Sequence, residues 1–241
     1  MLTLISKKEL NKLQYAMMNK EIVIIKFKNS STKNLLNYKK IIELIKTNIL
    51  YYPILRFANH NNTVCSNTYS NNTILQNNNI IKNIKLGNTL IIKDIDIYNK
   101  KISTFIKVMK KYFNFKIKIN SYFVNRNQKG LNIHFDMHDV LALQLEGRKS
   151  WRIYQSKKDV DLSLNIELNL HLLNKKKYQE FCLKKGEAIF IPKGQWHDTF
   201  TTNKNSLHCA IGFYPEQMSD LINKKYKNLL YENIYKLREI K

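Results

Sequence analysis

Cysteine is scarce in this chain: Cys65, Cys182 and Cys209 are odd in number and far apart, which argues against a disulfide framework and against a structural zinc knot. No apolar run approaches the roughly 18 residues needed to span a bilayer, so no membrane partner is expected. The first thirteen residues mix apolar positions with Lys7, Lys8, Glu9 and Lys12 and offer no small-residue cleavage site. A secretory leader is therefore not expected, and a reducing cytoplasm is the simplest location. Acidic residues are few, 18 against 41 basic ones, giving a formal charge of +23. Arginine is rarer still, at positions 56, 126, 148, 152 and 238 only, so that 36 of the 41 basic residues are lysine. Two readings of that charge stand side by side. A basic surface attracts RNA phosphates or acidic partners. Alternatively, the heavy use of lysine, asparagine and isoleucine reflects A/T-rich codons, in keeping with lysines scattered through the chain.

The chain has 241 residues and is 44% hydrophobic, enough to close one full-size core. Residues 1–87 read as an N-terminal region of helices (5–18 and 35–49) and a short strand (22–25), with an Asn-, Ser- and Thr-rich loop over 59–83,. A strand at 89–92 and a helix at 101–112 follow, the helix carrying Ile102, Phe105, Ile106 and Met109 on one face. From 113 to 213 short apolar runs alternate with turn signals. Strands are expected at 116–124, 133–145, 150–154, 188–191, 196–201 and 207–213, forming an antiparallel barrel or double-sheet jelly roll. Residues 214–241 read as a C-terminal helix, its leucines and Tyr226 at helical spacing over 218–237.

Within Asn132-Ile133-His134-Phe135-Asp136, the strand period of two sends His134 and Asp136 to one face and Phe135 to the other. An imidazole and a carboxylate so placed can take adjacent corners of one metal. Two histidines and one carboxylate with open positions opposite form the ligand set of non-haem iron(II) oxygenases. An H-x-D triplet alone is weak evidence. The third candidate is His197, where a buried strand ends at Pro192, a Pro-Lys-Gly turn reverses the chain and the next strand begins. Taken alone, His197 also fits an ordinary half-buried histidine beside Trp196.

Between these elements, Leu141 to Trp151 reads as a strand, a Gly147 turn and a return strand. These three segments together resemble the JmjC/cupin oxygenases, and among them the ribosomal-oxygenase branch most closely. The resemblance implies a double-stranded β-helix core over residues 88–213 with flanking helices. It implies iron(II) held by His134, Asp136 and His197, with 2-oxoglutarate and dioxygen as cosubstrates. A Lys or Arg fifteen residues after the first ligand binds the far carboxylate of 2-oxoglutarate in that family, and Lys149 stands there. The family's N-x-Y element corresponds to Asn120-Ser121-Tyr122, which places Asn120 and Tyr122 among the cofactor-binding residues. Gly130 and Ser206-Leu207-His208 also match.

Departures from the pattern are Val124-Asn125 and Lys129-Gly130, where the family carries Thr-Pro and Gln-Gly pairs. The 28 residues after Phe213 leave no room for the dimerisation and winged-helix regions of larger members, so a ribosomal-protein substrate is not simply inherited, and the oligomeric state stays open. The expected activity is hydroxylation of a protein or peptide side chain. The rivals are a tRNA-base or small-peptide hydroxylase and a non-catalytic cupin-like binding module. His138 is expected on the pocket wall or exposed, His60 and His171 in solvent, and His208 either orienting a ligand or satisfied within the barrel. Trp151 and Trp196 read as core aromatics.

Overall fold

The computed structural model describes residues 3–47, 54–58, 77–113, 115–156, 169–201 and 204–215. Helices α1 (Lys7–Asn19), α2 (Asn29–Thr32) and α3 (Tyr38–Thr47) are interleaved with strands β1 (Val23–Lys26) and β2 (Leu55–Ala58). Next come α4 (Asn77–Lys85), β3 (Thr89–Ile92), α5 (Lys100–Lys110), β4 (Lys116–Val124), β5 (Asp139–Glu146) and β6 (Arg148–Ser156). The described part ends with β7 (Leu173–Lys184), β8 (Glu187–Ile191), β9 (His197–Phe200) and β10 (Ser206–Tyr214).

Local chemistry sets the helix ends. Ser6 caps α1 by accepting from the Glu9 amide, while the Glu9 carboxylate accepts from the Lys26 amide at 2.8 Å and ties the helix to β1,. Asn99 caps α5 by accepting from Lys101 and Ile102, and the face expected from the sequence, Ile102, Phe105, Ile106 and Met109, is the buried one,.

The strands form two antiparallel sheets. The larger runs β1-β8-β5-β10-β4-β3-β2 and the smaller β7-β6-β9, the double-sheet jelly roll expected from the sequence. Both faces of the large sheet are covered, and alternate residues divide between two cores. Leu141, Leu143 and Leu145 of β5, with Leu207, Cys209, Ile211 and Phe213 of β10, pack under the helices. Val140 and Ala142 meet Trp151, Ile153 and Leu183 of the small sheet. Two-sided burial explains why these strands read as nearly unbroken apolar runs.

The structure redraws several expected boundaries. Of the loop read at 59–83, residues 77–83 belong to α4, whose Ile80 and Ile84 share a face and are 2% and 4% exposed; residues 59–76 lie outside the described part. The strand read at 133–145 starts only at Asp139. β1 pairs with β8, and β2 with β3, so the region 1–87 is woven into the same sheet as the core 88–213. The helix expected over 218–237 is outside the described residues. β7 went unread because its Lys175, Lys176, Lys177 and their neighbours are exposed. It is an edge strand carrying the lysines that discourage edge-to-edge pairing. Among the described residues no helix is long and apolar enough to cross a membrane.

Candidate active site

The site lies where the chain passes from one sheet to the other. Before β5, residues 129–134 run beside β9 as two isolated bridges, Lys129 opposite Phe200 and His134 opposite His197. The bridge at the site is doubly bonded, His134 N to His197 O at 3.0 Å and His197 N to His134 O at 2.8 Å. The six residues 129–134 thus face the four residues 197–200, and this irregularity is why the ligand triplet is not a regular strand. Asp136 is fixed through its own carbonyl, which accepts from the Gly194 amide at 2.8 Å. The Pro-Lys-Gly turn therefore sets the spacing between the carboxylate and His197.

His134, Asp136 and His197 bring one donor atom each within 4.8 Å of one another. His197 Nε2 is 3.7 Å from Asp136 Oδ2. Each histidine has its other nitrogen engaged by a backbone carbonyl, His134 Nδ1 with Asn132 O at 2.7 Å and His197 Nδ1 with Gln195 O at 2.9 Å. Those contacts make Nδ1 the protonated nitrogen and leave an Nε2 lone pair on each ring facing Asp136, as a metal ligand requires. Burial first, and then the neighbouring His134, push His197 down to about 4, so its imidazole is neutral around pH 7. Two neutral imidazoles and a carboxylate fit a divalent iron.

The three residues open on a cavity of about 310 Å³ walled by Tyr122, Lys149, Trp151, His208, Arg56 and Thr89 among others. Lys149 is 2% exposed, its Nζ 3.5 Å from His208 Nδ1 and 5.9 Å from the Trp151 ring centre. No carboxylate among the described residues lies within ion-pair distance of it, and burial lowers it to about 7. An amine so placed calls for an anion from outside the chain. Arg152, another cation near the turn, is taken: its fork donates to both carboxylate oxygens of Asp198 and stacks against Phe200 and Tyr178.

His208 sits where the pairing of β10 with β5 slips, from Leu207 opposite Glu146 to His208 opposite Gln144. Its ring stacks on Tyr122 at 5.0 Å and meets Lys149, not the metal-ligand candidates. Tyr122 is pushed up to about 12 by burial and then by Asp136, so its phenol keeps its proton. Asn120 is not on the cavity wall; its side chain bonds to Tyr122 and accepts from the Asp94 amide at 3.1 Å. His138 stacks on Tyr214 with its Nε2 3.0 Å from the Tyr214 hydroxyl, in space that Gly212 leaves open. It stands apart from the metal-binding group. His171 is exposed, and His60 is outside the described residues. Trp196 is fully buried against Phe135, whereas Trp151 belongs both to the core and to the cavity wall.

Sequence reasoning missed Arg56, Thr89 and Thr199. The available signal was a charged residue inside Ile54-Leu55-Arg56-Phe57-Ala58, a run too short to register as a strand. Gly130 explains itself here, since a Cβ on it would lie 2.1 Å from Thr199 Oγ1 and 3.3 Å from Lys149 Nζ. Gly130→Ala is expected to destabilise the fold by about 1 to 3 kcal/mol through overpacking and to weaken anion binding at Lys149. Thermal melts with and without 2-oxoglutarate check this, and an unchanged melting temperature together with unchanged affinity contradicts it.

Comparisons with known proteins bear on the family and the fold. The chain is 30% identical over 119 residues to the bifunctional lysine-specific demethylase and histidyl-hydroxylase NO66 of Drosophila sechellia, covering 48% of this chain and 17% of that protein. It is 32% identical over 97 residues to ribosomal oxygenase 2 of Bos taurus, covering 39% and 21%. The matches thus span about a fifth of these relatives. The ribosomal oxygenase YcfD of Escherichia coli, solved with cobalt and 2-oxoglutarate, superposes with a TM-score of 0.60 at 15% identity over 95% of this chain and 57% of that one. At that identity the likeness concerns the fold. Residues 94–221, more than half of the chain, match the JmjC domain, and the chain belongs to that family.

Proposed function

We propose that the chain is an iron(II)- and 2-oxoglutarate-dependent oxygenase that hydroxylates a side chain of a protein or peptide. The observation that carries this reading is the trio His134, Asp136 and His197, with both Nδ1 atoms tied to backbone carbonyls and all three donors within 4.8 Å, at the mouth of a cavity that holds a buried lysine with no carboxylate partner among the described residues. When bound, iron and 2-oxoglutarate supply the activation of dioxygen, with one oxygen atom going into a C–H bond and the other into succinate as carbon dioxide leaves.

The chain's own residues supply position and surroundings. His134, Asp136 and His197 hold the metal on one side and leave the opposite side open. Lys149 pairs with the far carboxylate of 2-oxoglutarate, and His208 keeps the amine in place from 3.5 Å. Tyr122 donates its phenol proton toward the cosubstrate, and Asn120 serves by orienting Tyr122. Trp151, Phe135, Val140 and Leu131 give the cavity apolar walls that shield a C–H oxidation from competing reactions.

A polypeptide acceptor is supported by the names of the relatives, a histidyl-hydroxylase and ribosomal oxygenases. The runner-up is an RNA base, favoured by Lys176 and Lys177 beside the 46%-exposed Tyr178 on β7, a basic and aromatic combination suited to nucleic acid. Mass spectrometry of digested tRNA and of peptides from cells with and without the gene separates the two. The expected result is a peptide heavier by one oxygen atom that disappears with the gene. A hydroxylated nucleoside that disappears instead, with peptides unchanged, overturns the substrate assignment.

A further inference from the structure

Three polar groups on the cavity wall are buried without a partner among the described residues: Arg56 Nε, Thr89 Oγ1 and Trp151 Nε1. Trp151 is at the Lys149 end of the cavity, whereas Arg56 and Thr89, the latter 1% exposed, lie away from it. Buried donors left unpaired are unfavourable and uncommon, and the pair Arg56 and Thr89 points to a further ligand that completes them.

The register of the large sheet shows where this lies. Arg56 is opposite Ile91, Ile91 opposite Tyr122, and Tyr122 opposite His208, so one row crosses β2, β3, β4 and β10. Thr89 is two residues from Ile91 on the same face, beside Arg56. Strands stand about 4.8 Å apart, which separates the backbones of Arg56 and His208 by roughly 14 Å. Lys149 is at the His208 end. A small dicarboxylate reaching from the metal ligands to Lys149 therefore leaves the Arg56 end unfilled. Tyr122 stands between, close enough to Asp136 on one side and Arg56 on the other for both charges to act on its phenol.

Charge leads to the same place. The wall carries two cations, Arg56 and Lys149, against one carboxylate, Asp136. A divalent ion adds two positive charges and 2-oxoglutarate brings two negative ones, which leaves one positive charge without a counter-ion. Arg56 Nε and the Thr89 hydroxyl can both donate, so the matching group is an oxyanion that only accepts. The cavity, about 310 Å³, is at the small end of ligand pockets. It has room for the cosubstrate and one amino-acid side chain, and too little for a nucleotide as well.

We infer that Arg56 and Thr89 form a second anion subsite that takes a carboxylate of the polypeptide substrate, so that the acceptor is recognised by an acidic group near the hydroxylated carbon. This inference rests on the oxygenase reading above for the word substrate, though not for the site itself.

The test uses the full chain loaded with zinc, which is diamagnetic, saturated with 2-oxoglutarate and titrated with N-acetylglycine, a blocked amino acid with a free carboxylate. The Arg56 Nε–H resonance, assigned by its loss in Arg56→Met, is expected to move downfield and saturate. Arg56→Met and Thr89→Val should each weaken N-acetylglycine binding by about tenfold, with 2-oxoglutarate affinity changed less than about threefold. The wild-type resonance decides the matter even where a variant folds poorly. A resonance that responds to 2-oxoglutarate and ignores N-acetylglycine makes Arg56 a cosubstrate ligand and overturns the proposal. Silence toward both makes it a structural cation, and tighter binding of dimethyl phosphate assigns the subsite to nucleic acid. Because the titration requires no turnover, a chain that binds N-acetylglycine yet forms no succinate sinks the oxygenase reading and leaves the subsite standing.

Discussion

Asp136→Ala is expected to lower iron-dependent succinate formation by more than about 100-fold, since changing even the outer partners of a metal ligand costs 10 to 100-fold. The same holds for His134→Ala and His197→Ala. Asp136 is the anionic member of the set, and without it two neutral imidazoles face a divalent ion with no charge to offset it. The carboxylate is one-third exposed and its segment is held by backbone bonds from Gly194 and to His197, so Asp136→Ala should fold. Iron content measured beside succinate yield separates loss of metal from loss of structure. Undiminished turnover in Asp136→Ala at wild-type iron content contradicts the assignment.

Lys149→Ala should weaken 2-oxoglutarate binding by about 2 to 5 kcal/mol, at least about 30-fold, because a buried carboxylate loses its charged partner. Iron binding should change little. A second consequence follows from the burial that lowers Lys149 to about 7. In the unfolded chain a lysine titrates near pH 10.4, so between about pH 7 and 10 the unfolded state binds more protons and Lys149's destabilising effect is relieved as pH rises. Below about pH 7 that effect is fully present. Ligand affinity runs the other way and falls above about pH 7, where the free amine must take up a proton before it can pair with an anion. Lys149→Met should therefore stabilise the ligand-free fold by roughly a few kcal/mol while impairing 2-oxoglutarate binding, a trade of stability for function. Calorimetry and thermal melts between pH 6 and 9 read both effects. A variant with unchanged 2-oxoglutarate affinity moves the role elsewhere, with exposed Arg148 next to test, since Arg152 is occupied by Asp198.

Much of this architecture was legible because the large sheet is buried on both sides. Its strands β5, β8 and β10 are largely apolar runs bounded by turns, β4 alternates exposed Lys116 and Lys118 with buried Ile117 and Ile119, and α5 shows its buried face at helical spacing. The ligand candidates were legible from residue types and order. The local geometry was not: His134 and Asp136 sit on an irregular crossing between sheets, where six residues face four, and a period-two pattern does not distinguish that from a strand. Edge strands escaped notice for physical reasons. β7 exposes lysines in place of an apolar face, and β2 has only four residues. Missing β2 concealed Arg56, because a charged residue in an unassigned segment has no face to be assigned to. Likewise the asparagines of α4 masked a helix that Ile80 and Ile84 anchor from one side. The contact of His208 with Lys149 depends on a slip in strand register, which only the folded chain reveals.

Anaerobic titration of the iron(II)-loaded chain with 2-oxoglutarate, followed by the metal-to-ligand charge-transfer absorption that chelation of iron by a 2-oxo acid produces, reads metal and cosubstrate binding at this site together. A band is expected that saturates at one iron and one 2-oxoglutarate per chain, disappears in Asp136→Ala, and in Lys149→Ala requires at least about 30-fold more 2-oxoglutarate. A wild-type chain that retains iron and develops no such band, or one that develops it equally with Asp136 removed, contradicts the assignment of this site.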